Sequence, residues 1–510
     1  MAHLRTGRTR TLALPAGLAL TVALGFLPTG AASAAPTGGP PVATADGPEL
    51  SYVVNARGSG RSAVDRVRKE ISRAGGTVVT GYDRIGVVVA HSRNPDFAKT
   101  LRRSREVVSA GATRTNPIVP QATTDIGVEQ PLTAAQAKAA AAGARAGQDP
   151  LEPLQWDLPA IKADKAHEKS LGSRNVTVAV IDTGVDDTHP DLAPNFDRRA
   201  SANCVTGAPD TTAGGWRPAP GESDHGTHVA GTIAAAKNGI GVTGVAPGVK
   251  VAGIKVANPD GFFYTESIVC GFVWAADHGA DVTNNSYYTD PWKFNCKNDP
   301  DQGALVEAVG RAARYAERKG VVNVAAAGND NTDLHSRAIE DPSSPNDSTT
   351  VPRTIDPRVC LDIPAMLPGV VTVSATGAKG LKASYSNYGN GVIDVAAPGG
   401  DSTVYQTPEP PATNGLILST LPGGGYGYKA GTSMASPHVA GVVALIKSRH
   451  PYASAATVKA LLTAQADRTA CGDPYDINGD GKIDAVCEGG RSGNGFYGAG
   501  VVDALNAVRR

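Results

Sequence analysis

Three short segments of the 510-residue sequence each present a residue type that can take part in catalysis. Asp182 ends the apolar, β-branched run VTVAVIDTG, so we expect it at the carboxyl end of a buried strand, where open α/β sheets place their active sites. His225 and His228 begin the small-residue helix predicted from SDHGTHVAGTIAAA. Ser433 begins the helix predicted from GTSMASPHVAGVVALIKSRH, where backbone N–H groups converge and can stabilise an oxyanion.

Each segment also has a structural interpretation when it is taken alone. Aspartate is common in turns, serine is a common helix N-cap, and two histidines three residues apart can bind a metal. A zinc site of that kind needs a carboxylate between or beyond the pair, as in H-E-x-x-H, and the segment has none there. A serine nucleophile needs a base, and the base needs an orienting carboxylate. Asp182, His225 and Ser433 supply that combination.

Taken together, the three segments resemble the subtilisin family of serine proteases. The motifs that carry the resemblance are VAVIDTGVDDTHPDL, HGTHVAG and GTSMASPHVAG. The resemblance implies that Asp182 orients His225, that His225 acts as general base and then general acid, and that Ser433 attacks the scissile carbonyl. It also implies that His228 and His438 are structural.

The resemblance assigns two further parts of the site. Asn329, at the end of VVNVAAAGN, matches the side-chain donor of the oxyanion hole, and the alternative is a turn asparagine. Substrate would lie as an extended strand along the cleft. The resemblance places Phe263 and Tyr288 at positions where the family usually has glycine or another small residue. We therefore expect a narrowed, aromatic-lined cleft unless loop rearrangement turns these rings away. The matching substrate-binding residues are Gly261, Phe262, Phe263, Asn285, Ser286, Tyr287, Tyr288, Ala326, Ala327 and Gly328.

Two loops are candidates for structural calcium, and no organic cofactor is expected. The first is implied by the resemblance, and its oxygen ligands would come from Glu152, Asp191, Asn238 and the carbonyls of Ala236, Ile240 and Val242. The second is DINGDGKID, an EF-hand-like loop whose ligands would be Asp476, Asn478, Asp480 and Asp484. Position 12 of that loop is Cys487 instead of glutamate. Either loop could be an ordinary polar turn instead.

Six cysteines lie downstream of residue 200, and an even number on an exported chain favours disulfides. Cys471 and Cys487 flank one short loop and are expected to pair locally. Related secreted enzymes carry a bridge at positions that match Cys296 and Cys360, so the resemblance implies that pair. The remaining pair is Cys204–Cys270.

The N-terminus predicts export. Residues 1–34 combine three arginines, an apolar run and an A-x-A site, which is the order of a secretory signal peptide. A membrane anchor is the alternative, but Pro15, Gly17 and Gly25 interrupt the apolar run. No other segment approaches 18 uninterrupted apolar residues, so no membrane contact is expected after the signal is removed.

The rest of the chain divides into three predicted parts. Residues 35–120 match the family's inhibitory propeptide in position and contain an α+β core at about 49–116. In this core, periodicity predicts a strand in ELSYVVNA, a helix in SAVDRVRKEISRAGG, two strands in TVVTGYDRIGVVVAHS and a second helix in NPDFAKTLRRSREVVSA. A permanent accessory domain is the alternative. Residues 121–150 form an Ala/Gly-rich, easily cut linker or a marginal helix. Residues 151–510 alternate strand and helix signals, which predicts an α/β catalytic domain, and the resemblance makes it a subtilisin-like three-layer fold with a mostly parallel central sheet.

Charge divides along the same boundary. The chain has 48 Lys and Arg against 48 Asp and Glu, yet residues 1–120 hold 16 basic and 7 acidic residues, and residues 121–510 hold 32 and 41. The balance argues against a nucleic-acid partner. It also predicts that removal of the basic N-terminal part leaves an acidic mature protein.

These patterns together predict a secreted, extracellular, monomeric serine endopeptidase that acts on proteins and peptides. It would be made as a pre-pro-enzyme, cut itself within 117–150, and use its propeptide as an intramolecular inhibitor. One rival is a catalytically inactive binding protein of the same fold, which would not need all of Asp182, His225, Ser433 and Asn329. Another is an esterase or peptide ligase that uses the same triad.

Overall fold

The computed structural model describes residues 47–117, 130–403, 406–472, 475–476 and 480–509. The predicted signal, residues 1–34, and part of the predicted linker, residues 121–129, lie outside these ranges. Within them, no helix combines the length and the apolar character that a bilayer crossing requires.

The N-terminal unit, residues 47–117, is a four-stranded antiparallel sheet with two helices. Its elements are β1 (Leu50–Ala56), α1 (Arg61–Arg73), β2 (Gly76–Tyr82), β3 (Val87–Ser92), α2 (Phe97–Leu101) and β4 (Val107–Ala112), and the strand order is β2-β3-β1-β4. Helix α1 buries Val64, Val67 and Ile71, which recur on one face. The second predicted helix is wrong in extent. It ends at Leu101, because the valine-containing segment that follows pairs with β1 as an edge strand.

Residues 130–150 contain a short strand and a helix. The strand β5 (Gln130–Pro131) pairs with a later strand, and α3 (Ala134–Gly143) follows it. Thr133 caps α3, since its hydroxyl accepts from the backbone N–H of Gln136 while the Gln136 side chain accepts from Thr133. The predicted helix is present over Ala134–Gly143, and a cuttable linker in this segment stays a prediction.

The C-terminal part alternates strands with helices over its whole length. Its first elements are α4 (Asp157–Ala160), α5 (Ala163–His167), β6 (Thr177–Asp182), β7 (Ala202–Asn203), α6 (His225–Ala234), β8 (Lys250–Lys255), α7 (Thr265–Asp277), β9 (Val282–Asn285), β10 (Asn295–Cys296), α8 (Pro300–Arg318) and β11 (Val322–Ala326). There follow β12 (Ile339–Asp341), β13 (Arg353–Ile355), β14 (Cys360–Leu361), β15 (Val371–Thr376), β16 (Val395–Pro398), β17 (Ile417–Leu421), β18 (Gly425–Lys429), α9 (Thr432–Arg449), α10 (Ala455–Gln465), β19 (Gly489–Gly490), β20 (Gly493–Asn494) and α11 (Ala504–Arg509).

The central sheet has seven strands in the order β16-β15-β11-β9-β6-β8-β7, and every pairing in it is parallel. Strands β6, β9, β11 and β15 are buried at every position, as expected for strands covered on both faces. The predicted α/β class is therefore confirmed.

The helices form one layer on each side of this sheet. Val178 and Val180 of β6 pack in a core that contains α6 and α9, whereas Ala179 and Ile181 pack in a second core that contains α7 and α8. Because successive side chains of a strand point to opposite faces, the two cores lie on opposite sides of the sheet. The fold has three layers, as predicted.

The N-terminal unit packs on the α7 and α8 layer. Val53, Ile85 and Val87 join the same apolar core as these two helices. Arg311 of α8 adds a polar contact, since its Nη1 donates to the carbonyl of Ala56 at 2.9 Å. The two parts of the chain therefore share a buried interface.

All three predicted disulfides are present: Cys204–Cys270, Cys296–Cys360 and Cys471–Cys487. The pair Cys296–Cys360 joins two neighbouring short strands, β10 and β14.

Candidate active site

The candidate catalytic residues lie at one edge of the central sheet. Strand β6 ends at Asp182, Ser286 directly follows β9, and Asn329 lies just beyond the end of β11. These three strands are parallel neighbours, so their carboxyl ends meet at the same edge. Parallel sheets bind ligands at that edge. The fold thus brings together segments that are far apart in sequence.

Asp182 holds His225 in place. His225 is the first residue of α6, and its Nδ1 lies 2.8 Å from Oδ1 of Asp182. The same carboxylate oxygen accepts from the backbone N–H of Thr183 at 2.7 Å. Since a carboxylate only accepts, Nδ1 carries the proton and Nε2 is left with its lone pair. Nε2 has no hydrogen-bond partner among the described residues, so it is available as a base.

The carboxylate also controls the charge of this histidine. Burial is the largest influence and lowers the pKa of His225, but the charge of Asp182 and its hydrogen bond outweigh burial. The pKa of His225 is therefore raised above its ordinary value. An imidazole with a raised pKa takes up a proton more readily, which suits a group that must accept the serine proton during attack.

Ser433 is the second residue of α9, whose N-cap is Gly431. Its Oγ donates to the carbonyl of Ser286 at 3.2 Å, and Oγ of Ser286 donates to the carbonyl of Ser433 at 3.0 Å. This pair of bonds fixes the start of α9 at the carboxyl end of β9. In this conformation the serine hydroxyl is not bonded to His225, and catalytic hydrogen bonds in free enzymes are often made only when substrate binds.

Asn329 is oriented by its side-chain oxygen. Oδ1 accepts from both the backbone N–H and the hydroxyl of Thr432, each at 2.8 Å. The amide group Nδ2 is then left as a donor beside Ser433, in the same cleft. Gly328 has φ of 97°, a left-handed conformation that favours glycine, and this turn presents Asn329 after the strand. The arrangement suits a donor to a developing oxyanion.

We expect Asn329→Ala to lower kcat for peptide hydrolysis by about 10²–10³-fold, which is the usual cost of losing one donor of an oxyanion hole. KM should change little, because the donor acts mainly in the transition state. Asn329→Asp is the control for the cap on Thr432, since it keeps an acceptor at Oδ1 but replaces the Nδ2 donor with an oxygen that carries negative charge, so kcat should fall at least as far as in Asn329→Ala. If steady-state kinetics show near-normal kcat for Asn329→Asp, the oxyanion role is wrong.

The other two histidines of these motifs are buried and have structural partners. Nε2 of His228 lies 3.1 Å from the carbonyls of Ile417 and Gly427. Burial, reinforced by nearby positive charge, lowers its pKa to about 3, so this ring stays neutral and donates to those carbonyls. Nε2 of His438 lies 3.0 Å from Oδ2 of Asp157. In the described part of the chain, no group of three or more His, Cys, Asp or Glu side chains is arranged to hold a metal.

A cleft of about 330 Å³ opens beside Ser433. Asn285 and Ala327 do not line it. Asn285 is buried within β9 and bonds the carbonyl of Val324, and Ala327 is buried behind the cleft wall. The predicted substrate-binding residues that do line it are Gly261, Phe262, Phe263, Ser286, Tyr287, Tyr288, Ala326 and Gly328.

Phe263 and Tyr288, the two aromatic residues expected at positions of small residues, differ in how exposed their rings are. The ring of Phe263 is stacked on Tyr287 at 4.6 Å in the apolar core, and Phe263 is 2% exposed. The residue borders the cleft, but most of its ring packs into this core, in the way the alternative prediction allowed. Tyr288 remains partly exposed, and its hydroxyl accepts from Nδ2 of Asn346 at 2.9 Å. Of these two rings, that of Tyr288 is the more exposed in the cleft.

Several residues of the cleft carry no motif that sequence inspection could detect. Most come from the segments 290–305 and 330–358 and from the residues after Cys360. The additional lining residues are Asp260, Asp290, Lys293, Asp330, Ser343, Asn346 and Asp362.

The first predicted calcium loop already contains a cation. Glu152 pairs with the ammonium of Lys237 at 2.6 Å. Asp191 accepts from Asn238 Nδ2 through Oδ1, and from Val242 N–H and the Tyr426 hydroxyl through Oδ2. A calcium ion would have to displace these donors and approach the lysine. As arranged, these side chains do not fit calcium.

We therefore expect EDTA to change the midpoint of thermal unfolding by less than the roughly 2–4 °C that corresponds to 1 kcal/mol in a chain of moderate size. In Lys237→Ala the internal cation is lost, and added calcium should then raise the midpoint. Differential scanning fluorimetry of both proteins with EDTA or calcium measures this. A larger calcium effect in the wild type, retained in Asp476→Asn, would contradict it.

The second predicted calcium loop is only partly described, since Asn478 lies outside the described residues. Asp476 accepts from the backbone N–H groups of Asp480 and Gly481, and Asp480 accepts from that of Lys482. Asp484 donates its backbone N–H to the carbonyl of Tyr475. These bonds form a capped turn, and calcium here stays a prediction.

Comparison with known sequences places this site in a family. Residues 173–491 match the subtilase family, Peptidase_S8. Fervidolysin from Fervidobacterium pennivorans is 33% identical over 371 residues, covering 66% of this chain but only 44% of fervidolysin. Subtilisin BL from Lederbergia lenta is 34% identical over 298 residues, covering 58% of this chain and 86% of subtilisin BL.

Solved structures share the fold. The epidermin leader peptide processing serine protease EpiP from Staphylococcus aureus matches with a TM-score of 0.63 at 23% identity, over 90% of this chain and 98% of that one. The fervidolysin crystal structure matches with a TM-score of 0.59 at 26% identity, over 91% of this chain and 61% of that one. Since the family match covers more than half of the sequence and includes the segments of Asp182, His225 and Ser433, the chain belongs to the subtilase family of serine peptidases.

Proposed function

We propose that the protein is a secreted serine endopeptidase that matures by cutting itself. The observation that carries the proposal is the Asp182–His225 hydrogen bond at the same sheet edge as Ser433 and Asn329. Ser433 would attack the scissile carbonyl while His225 takes its proton, and Asn329 would donate to the oxyanion. His225 then protonates the leaving amine, and water releases the acyl group by the reverse sequence.

The proposal includes an inhibitory role for the N-terminal unit. Its last described residues run beside the cleft: the backbone N–H of Thr115 donates to Asp347 at 2.9 Å, and the neighbouring Asn346 lines the cleft. Arg114 forms an ion pair with the buried Glu266 and lies 4.0 Å from the centre of the Tyr264 ring. A segment held there lies beside the path that an extended substrate needs.

Export and removal of this unit are consistent with the rest of the chain. Three disulfides suit an oxidising compartment. The signal and the N-terminal unit carry the basic surplus, so the mature protein would be acidic. We expect it to be retained on an anion exchanger at neutral pH and to flow through a cation exchanger.

The function is tested by purifying the full chain and following it by mass spectrometry during incubation, with casein hydrolysis as a second readout. We expect a cut within 117–150 followed by hydrolysis of casein. Ser433→Ala should give neither. A folded wild type that stays intact and hydrolyses only small esters would show that the endopeptidase assignment is wrong.

A further inference from the structure

The cleft beside Ser433 is rich in acidic residues. Among the described residues that line it there is one cation, Lys293, against four carboxylates, Asp260, Asp290, Asp330 and Asp362. Acidic clusters are common on protein surfaces, so the partners of the individual carboxylates decide what the cluster means.

Two of these carboxylates have protein partners that account for their positions. Asp290 is buried and accepts from the backbone N–H of Phe263 at 2.5 Å and from Nδ2 of Asn346 at 2.6 Å. Asp330 is exposed and forms an ion pair with Lys293. Asp330 is therefore balanced by a cation. Asp290 is held by two donors, and burial raises its pKa to about 7, so it also gains charge as the pH rises through that value.

Asp362 differs from them. It is 2% exposed, and its Oδ1 has no hydrogen-bond partner in the part of the chain that the structure describes. Its Oδ2 lies 3.6 Å from the position that a Cβ on Gly328 would occupy. The carboxyl is therefore next to Gly328, the residue directly before Asn329. A buried carboxyl with an unpaired oxygen costs free energy that a bound partner can recover.

The position of this carboxyl identifies the substrate residue that would meet it. Asn329 and Ser433 hold the carbonyl that is attacked, so the side chain on the acyl side of that carbonyl starts within the same cleft, whose wall includes Gly328 and Asp362. We propose that Asp362 receives a positively charged side chain, lysine or arginine, on the residue immediately before the cut. This proposal rests on the proposed endopeptidase function and adds its substrate class.

The charge state of Asp362 makes the preference depend on pH. Burial is the largest influence and raises its pKa to about 8, Lys293 opposes this, and Asp330 adds to it. The carboxyl is therefore mostly protonated in the free protein below pH 8 and mostly ionised above it. Because a cation pairs with the ionised form, the preference for a cationic over a neutral side chain should grow as pH rises through about 8. Protonation of His225 affects both substrates equally and cancels in their ratio.

The proposal also predicts where the protein cuts itself. Residues 117–150 contain two basic residues, Lys138 and Arg145. Lys138 lies within α3, whereas Arg145 is exposed just after this helix ends. Proteases bind extended chain, so the cut is expected after Arg145, which gives a mature N-terminus at Ala146.

The test uses fluorogenic peptides that differ only in the residue before the cut, which is arginine, lysine, leucine or glutamate. For the wild type at pH 8 we expect kcat/KM for the arginine and lysine peptides to exceed that of the leucine peptide by about 30-fold or more. Asp362→Asn should reduce this ratio to within about threefold. Moving the arginine to the residue after the cut is the matched control and should abolish the advantage.

Two results would overturn the proposal. One is a wild type that cleaves the leucine peptide as well as the arginine peptide. The other is an Asp362→Asn variant that keeps its preference for arginine. A mature N-terminus that follows a neutral residue would also count against it.

A binding measurement separates this proposal from the endopeptidase assignment. Ser433→Ala cannot turn over substrate, so a thermal shift of this variant reports only recognition. The variant is first matured by a trace of tagged wild-type enzyme, which is then removed, and is measured with benzamidine, an amidinium cation, or with benzamide, its neutral counterpart. We expect benzamidine to stabilise the chain more than benzamide, and Asp362→Asn to remove the difference. Equal shifts of the unfolding midpoint with both compounds would contradict the cation site, whatever the kinetic result. A shift with benzamidine alone, without peptide cleavage by the wild type, would support the site and count against the protease function.

Discussion

Replacing Ser433 with alanine is expected to lower kcat for peptide hydrolysis by about 10⁶-fold, the loss measured for the corresponding serine of subtilisin, a member of the same family. The reason is that Oγ is the atom expected to form the acyl-enzyme, and no other group can replace it. The substitution removes only one hydrogen bond, from Oγ to the carbonyl of Ser286. The fold and the unfolding midpoint should therefore stay close to those of the wild type.

Ser448→Ala is the matched control, because Ser448 lies near the other end of the same helix. Its Oγ donates to the carbonyl of Ala444 at 2.7 Å and accepts from the backbone N–H of Ser173. Its loss should affect stability slightly and turnover hardly at all. Both variants are matured by a trace of tagged wild-type enzyme that is then removed. Retention of more than about 1% of kcat by Ser433→Ala would overturn the assigned nucleophile.

Asp182→Asn is expected to lower kcat by about 10⁴-fold. Oδ1 of Asp182 accepts the Nδ1 proton of His225 at 2.8 Å, which leaves Nε2 as the base. An asparagine can instead present an N–H to Nδ1, and the proton then moves to Nε2, where it blocks attack by Ser433. KM should change little, since Asp182 is buried and does not line the cleft.

The same variant should alter the pH dependence. In the wild type, activity is lost as the pH falls through the raised pKa of His225, because the protonated ring cannot act as a base. Burial lowers the pKa of His225, and the charge of Asp182 is the main influence that raises it. Without that charge, the pKa of His225 should fall. The acidic limb of the residual kcat/KM should therefore move to lower pH. An unmoved limb, measured from about pH 4 to 9 with the leucine peptide, would show that Asp182 does not control the charge of His225.

Much of the site could be predicted because its signals are local. VTVAVIDTG is apolar and β-branched enough to form a buried strand in any parallel sheet, so Asp182 had to stand at its end. Small residues around His225 and Ser433 allow their helices to begin close to the sheet edge. The helix pattern of α1 was equally local. The length of α2, which was predicted wrongly, and the burial of Asn285 and Ala327 away from the cleft lining depend on which surface a segment meets.

The sequence by itself determined the fold class and the order of the catalytic residues, since these follow from periodicity, motifs and family resemblance. The three disulfide pairs were expected from the sequence, but only the structure established them. Tertiary structure alone decided the orientation of Phe263, which packs in the core, and the pairing of Lys237 with Glu152 at the expected calcium loop. It also decided the burial of Asp362 behind Gly328. The physical reason is that exposure, charge pairing and pKa depend on neighbours contributed by distant segments, which no local pattern specifies.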